Sequence, residues 1–120
     1  MNYSKTTIVG EQKSILANTH FTAINKKVAK SIASSGVIKA GTVLNADGTV
    51  LANGAVSASI TKQVLGLILY DVNVANEVGD NVVVPVLTHG SIIESVAKEL
   101  SGGVAYSTDV KSSLPQILFV

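Results

Sequence analysis

Apolar residues in this chain come in short runs cut by glycine, and the clearest of them lie between Val37 and Gly90. VIKAGTVLNADGTVL is followed, after an Ala/Ser-rich spacer, by VLGLILYDVNV and then by NVVVPVLTHG. Such runs, punctuated here at Gly41, Gly48, Gly66 and Gly90, read as short strands. Within the first, Asn45 to Gly48 is a turn cluster. Asp47-Gly48 supplies the positive φ that a tight hairpin needs, so a hairpin is predicted between VIKAGTVL and TVLAN. VLGLILYDV is apolar almost throughout, as a buried strand is, and Gly66 inside it marks a bulge or the close approach of another backbone. Residues Asn73 to Asn81 carry Asn, Glu, Gly and Asp and turn the chain before NVVVPVL. There Pro85 deletes a ladder donor and marks an edge or bulged position. An edge strand with an apolar face is a candidate docking surface.

The flanks are less regular. Residues 1–14 are polar and aperiodic, too poor in apolar groups to offset a backbone ordering entropy of about 1–2 kcal/mol per residue. They read as an arm that orders on a partner, or equally as a frayed tail. In residues 15–35, Phe21, Ile24, Val28 and Ile32 step by three, four and four, with Gly36 where a helix would end, which favours an amphipathic helix. The even spacing of Ile24, Val28 and Ile32 also fits one face of an extended strand. Lys26, Lys27 and Lys30 suit a solvated face in either form. Ser91-Ile-Ile-Glu94 has the form of a capping box, followed by Ile92, Ile93, Val96, Ala97 and Leu100 as a short helix that packs on the sheet and ends at Gly102-Gly103. LPQILFV then closes the chain in an apolar, strand-like run, which must be tied into a sheet or an interface.

Composition narrows the class. A chain of 120 residues with 47% hydrophobic and 14% charged side chains has ample material for one core and little for solvating a surface, so part of its apolar surface is expected to meet protein. We therefore expect one β-rich domain over residues 15–120, behind the arm at 1–14. Net charge is +1, with nine cations that are all lysine. Clustered basic charge and arginine forks, the usual means of holding nucleic acid, are missing, so direct nucleic-acid binding is not expected. Cysteine is absent, which removes disulfides, thiolate metal sites and Cys nucleophiles. The N-terminus lacks the apolar core of a signal peptide and no apolar run approaches a membrane span, so a soluble protein without a cleaved signal and without a membrane partner is expected.

Candidate chemistry is sparse. His20 and His89 are the only imidazoles, far apart in sequence and outside the spacings that chelate metal, so no metal site is expected. His89, before a Gly turn, reads as a local hydrogen-bonding residue. Glu94 and Glu99 lie five apart on the predicted helix and do not face each other as an acid and base would. No GxSxG is present, and Ser101-Gly102-Gly103 ends a helix where a phosphate loop would begin one. Tyr3, Tyr70 and Tyr106 are too scattered for base stacking. Neither an enzyme nor a cofactor is expected.

Taken in order, VIKAGTVL, DGTVL, VLGLILYDVNV, NVVVPVLTHGSI, a short helix and a closing QILFV resemble the bacteriophage head decoration proteins, the lambda-type family of small capsid-stabilising proteins. The resemblance runs over about residues 36–120 and is strongest at Ala40 to Leu44, Val64 to Leu69 with Asp71-Val72, and Val86 to Ile92. Similar glycine-spaced strings occur in lipoyl-like and SAF-type domains, although the lysine-bearing tip of a lipoyl hairpin is not evident. The resemblance implies a mainly β fold, a small β-sandwich or barrel-like (β-tulip-like) domain with one or two short helices and a flexible N-terminal arm. It further implies a homotrimer made in the host bacterial cytoplasm and bound to the major capsid protein on the outer surface of the virion, where it stabilises the DNA-filled head. Docking would fall to the arm, through Tyr3, Lys5, Thr6, Thr7, Ile8 and Val9. The alternatives are a small-molecule-binding or SAF-like β domain of an enzyme system and the capsid-anchoring base of a head fibre.

Overall fold

The computed structural model describes residues 14–75 and 78–120. Eight strands are present among them: β1 (Thr22–Ala29), β2 (Val37–Ile38), β3 (Val43–Asn45), β4 (Val50–Leu51), β5 (Val64–Ile68), β6 (Val72–Asn73), β7 (Asn81–Ile92) and β8 (Ile117–Phe119). Two short helices, α1 (Glu94–Leu100) and α2 (Thr108–Ser112), separate β7 from β8. The fold is mainly β. Five strands form an antiparallel path β1-β7-β5-β3-β4, β8 joins β7 in parallel, and β2 pairs with β6 in a small second sheet.

Consecutive residues of a strand point to opposite faces. Three neighbouring strands each bury such a pair completely: Val43 and Leu44 in β3, Leu67 and Ile68 in β5, Val86 and Leu87 in β7, all at 0% exposure. The middle of the sheet is therefore covered on both sides, the condition that turns an alternating strand into a near-continuous apolar run. On one side Val43, Leu67 and Leu87 pack with Ile15, Ile92, Ala97, Tyr106 and Val110, which brings the chain's entry and both helices against the sheet. On the other, Leu44, Ile68 and Val86 pack with Ile38 and Val74 beside the β2–β6 pair, and with Val28, Val82 and Val84 of the β1–β7 ribbon. VLGLILYDV and NVVVPVL are apolar because each serves two cores.

The predicted hairpin forms as read. β3 and β4 pair antiparallel around Gly48, which has φ +93°. Asp47 fixes the turn by accepting from the Thr49 backbone N–H at 3.1 Å and its hydroxyl at 2.6 Å, with Lys62 at 2.9 Å. These bonds hold the Asp47 carboxyl well below the usual carboxylate range, the Thr49 hydroxyl contributing most. Gly66 is a close approach of two backbones. A Cβ there would lie 2.0 Å from the Leu87 carbonyl oxygen. The apolar C-terminus is tied in as expected: Ile117, Leu118 and Phe119 pair with Gly90, Ser91 and Ile92, and Val120 N–H donates to the Ile92 carbonyl at 2.9 Å.

Three expectations are corrected. Residues 22–29 are strand β1, the extended alternative and not the favoured helix, because the long β7 offers an eight-residue antiparallel ladder from His89 to Asn81. Tertiary pairing outweighs the local 3.6-residue pattern, whose Phe21 and Ile24 stay partly exposed. The capping box does not form. Ser91 is still in β7, Ile93 is the cap residue and α1 has no side-chain cap; Glu94 instead reaches Lys111 of α2 at 2.9 Å. The side-chain cap belongs to α2, where Ser107 Oγ accepts from the Val110 N–H at 3.1 Å and donates to the Ala55 carbonyl at 2.6 Å. Finally, Pro85 lies inside the central strand β7. Its carbonyl accepts from Leu69 N–H at 3.0 Å just past the end of β5. The missing proline donor thus falls where the β5 ladder stops, and from Val84 back to Asn81 β7 is paired with β1 alone.

The Gly66 contact yields a sharp contrast. Gly66→Ala is expected to lower stability by about 3 kcal/mol or more, the upper range for overpacking, because the clashing Leu87 atoms are backbone and cannot rotate away. At Gly54 an added Cβ meets neighbours only at 3.7 and 3.9 Å, so Gly54→Ala should stay within about 0.5 kcal/mol of wild type. Urea unfolding of both variants checks this, and similar losses in the two would contradict the close approach.

Candidate functional site

Both ends of the described chain are stitched to the last residues of β7. On one side Gly90 and Ile92 bond to the C-terminal segment, through Gly90 N–H to the Gln116 carbonyl at 3.1 Å and Val120 N–H to the Ile92 carbonyl. On the other, Ser91 and Ile93 bond to the entering chain: Ala17 N–H donates to the Ser91 carbonyl at 2.9 Å and Ile93 N–H to the Ile15 carbonyl at 2.7 Å. Leu16 forms an antiparallel bridge to Ile92, and Ile15 is wholly buried among core residues. The six arm residues singled out above, Tyr3, Lys5, Thr6, Thr7, Ile8 and Val9, lie outside the described residues. The segment that carries them joins the fold at this anchored point.

The sheet margins carry the available surface. β1 is an edge strand of eight residues whose outer backbone groups have no strand partner among the described residues. Phe21 and Ile24 on or beside it are partly exposed, and Val83 on the two-stranded part of β7 is 59% exposed. On the opposite side of β7's end, Leu118 and Val120 are about as exposed. A separate open concavity of about 320 Å³ lies beside the β2 and β4 strands and is lined by Val37, Ile38, Val50, Leu51, Asn53 and Val104. Asn53 is committed elsewhere: its Nδ2 donates to Ser101 Oγ at 2.9 Å and to the Val104 carbonyl at 3.0 Å.

Polar groups inside the fold act as tethers between elements. Ala40 N–H donates to Asp71 Oδ1 at 2.7 Å, holding the start of β3 to the β5–β6 turn. The buried Tyr106 hydroxyl donates to the Gly41 carbonyl. Gly41 has φ +83°, and a Cβ there would lie 2.5 Å from the Ala97 carbonyl oxygen and 2.9 Å from the Tyr106 hydroxyl. Glycine at this position lets the AGTVL run pass between α1 and Tyr106. The pattern of strands and turns does not reveal this role, because Tyr106 stands in a loop between the helices with no apolar period around it. Burial pushes the Tyr106 phenol above its ordinary range, and the nearby Glu94 carboxylate raises it further against an opposing hydrogen bond with Ser101.

The ionisable residues named from sequence are placed as follows. Glu94 is paired with Lys111 across the two helices, and Glu99 is exposed on α1. His20 and His89, so far apart in sequence, come together with ring centroids 6.2 Å apart and planes at 69°. Among the described residues no three His, Cys, Asp or Glu side chains converge, and no helix is long and apolar enough to cross a membrane. No protein-family model matches this chain, and no curated protein or solved structure matches it.

Tyr106 gives a pH signature. A phenol whose folded pKa is raised contributes stability below the unfolded value near 10.0, and that contribution is lost as pH climbs from there through the folded value. Tyr106→Phe leaves the buried Gly41 carbonyl unpaired and should cost about 1–3 kcal/mol at neutral pH. The gap between wild type and variant should narrow above pH 10. Urea midpoints from pH 8 to 11, by way of a constant or widening gap, would refute this account of the phenol.

Proposed function

We propose that this chain is a structural virion protein that binds the outer surface of a bacteriophage capsid and stabilises the DNA-filled head. The observation that carries the reading is the placement of unpartnered strand edge. β1 offers an eight-residue edge whose outward backbone groups have no strand partner among the described residues, and the predicted arm joins the fold at a point fixed by Ile15 and the β7 terminus. Strand addition across such an edge gains backbone hydrogen bonds with little demand on sequence. Resemblance in the order of segments from AGTVL to QILFV points to the same class, and the mainly β fold with two short helices is compatible with it.

In this reading the protein acts as a homotrimer on the major capsid protein, and its arm residues Tyr3, Lys5, Thr6, Thr7, Ile8 and Val9 make the docking contact. Several modest contacts made together give tight attachment, because each one bound raises the effective concentration of the next. The work required is mechanical. Exposed Leu118, Val120 and Val83 are apolar groups for neighbouring subunits to cover. The small-molecule-binding alternative draws on the concavity beside β2 and β4, whose buried amide is already satisfied by Ser101 and Val104. It is the weaker reading, since recognition of a small polar ligand relies on convergent groups left unpaired for it.

The test is co-sedimentation with assembled shells of the major capsid protein of the phage genome in which this gene is found. The full chain should pellet with the shells at a saturating ratio, and a chain lacking Met1 to Lys13 should fold with an unchanged melting temperature yet remain in the supernatant. A full chain that stays unbound contradicts the proposal. A truncated chain that binds as well as the full one moves docking from the arm to the folded body.

A further inference from the structure

We propose that His20 and His89 form a two-imidazole site for a divalent transition-metal ion of the zinc, nickel or copper class, clasping the entering chain to the central strand. The site is assembled by the fold and cannot be seen in the sequence spacing. β1 meets β7 at the Thr22 to His89 register, and the ladder slips between Thr22 and Ala23, so the residues just before β1 swing across the face of β7. Gly90 permits that crossing. Its φ is +152°, and a Cβ at this position would lie 2.9 Å from Phe21 Cβ and 3.4 Å from the His20 carbonyl oxygen. The His20 backbone is further fixed by its own N–H, which donates to Asn18 Oδ1 at 2.9 Å. Both imidazoles are exposed, and among the described residues neither ring makes a hydrogen bond or an ion pair, so their nitrogen lone pairs are available.

Distance decides whether one ion can reach both rings. With metal–nitrogen bonds of about 2.0–2.1 Å, two imidazoles on a tetrahedral ion hold their centroids about 5 Å apart. The observed 6.2 Å requires an approach of about 1 Å, within the reach of small χ rotations of exposed side chains. The rings stand in an open concavity that Asn18, Ser91 and Gln116 also line, leaving room for water and amide oxygen in the remaining positions. Among the described residues no carboxylate lines it. A neutral nitrogen pair of this kind selects borderline-soft ions over magnesium and calcium, which need anionic or carbonyl oxygen. With two protein ligands the affinity is weaker than that of a closed four-ligand structural site. Bound metal would join Asn18–His20 to β7 at the place where the chain enters the sheet. The inference rests on this geometry and is independent of capsid docking.

Isothermal titration of the full chain with zinc chloride, nickel chloride and magnesium chloride tests it, beside His20→Gln and His89→Gln. The wild type should bind one zinc or nickel ion and no magnesium, and each single variant should lower zinc affinity by about tenfold or more. Zinc should also slow amide exchange over residues 18–24 in the wild type and in neither variant. Because both side chains are exposed, the variants should melt as the wild type does, and two independent substitutions guard against one that misfolds. Absence of zinc binding up to about 1 mM, or zinc binding that either variant leaves unchanged, overturns the proposal.

Discussion

Twelve residues of β7 must find strand partners, the middle of the strand must be covered on both faces, and the rest of the fold is arranged around that demand. Its first residues pair with β1, its middle with β1 and β5 together, and its end with β8 on one side and the entering chain on the other. The backbone spacing in the middle is set by Gly66, whose missing side chain leaves room for the Leu87 carbonyl. Once β5 and β7 are this close, Val86 and Leu87 point into separate cores. The helices and the entering Ile15 seal one, and the small β2–β6 sheet with Ile38 and Val74 seals the other.

Much of this was legible in the chain. The DG hairpin, the buried VLGLILY strand with its close backbone contact, the helix closing at Gly102-Gly103 and the anchored C-terminus all follow from local chemistry. Errors arose wherever a long-range partner decided the outcome. Residues 22–29 carry a helical spacing, and only the free ladder of β7 makes them a strand. Ser91 and Glu94 have the letters of a capping box, yet β8 and the entering chain hold Ser91 extended, so the helix starts later and Glu94 turns to Lys111. Pro85 reads as an edge or bulged position, yet it sits inside the central strand β7, at the point where the β5 ladder stops. The meeting of His20 with His89 depends on a register slip and on Gly90, neither of which leaves a periodic trace.

This arrangement separates what holds the fold from what is offered outward. Fully buried side chains concentrate in β3, β5 and β7, whereas the outer edge of β1, without a strand partner among the described residues, and the exposed Val83, Leu118 and Val120 lie at the margins. A protein that rivets neighbouring subunits benefits from this division, since edges and termini can form new pairings without disturbing the doubly covered centre. Ile15 to Ala17 enter beside the same β7 terminus that β8 and the histidine pair occupy.

The claim that β7 organises the whole chain is tested most directly by native-state amide hydrogen exchange on the free protein. The slowest amides should be those of Val86, Leu87, Leu67, Ile68 and Leu44, exchanging only through global unfolding, while the two-residue pair of β2 and β6 and the outer edge of β1 exchange by local opening. If the middle of β7 exchanged as fast as β2 and β6, or if the slowest amides lay in the helices, the fold would not depend on this strand and the account would fail.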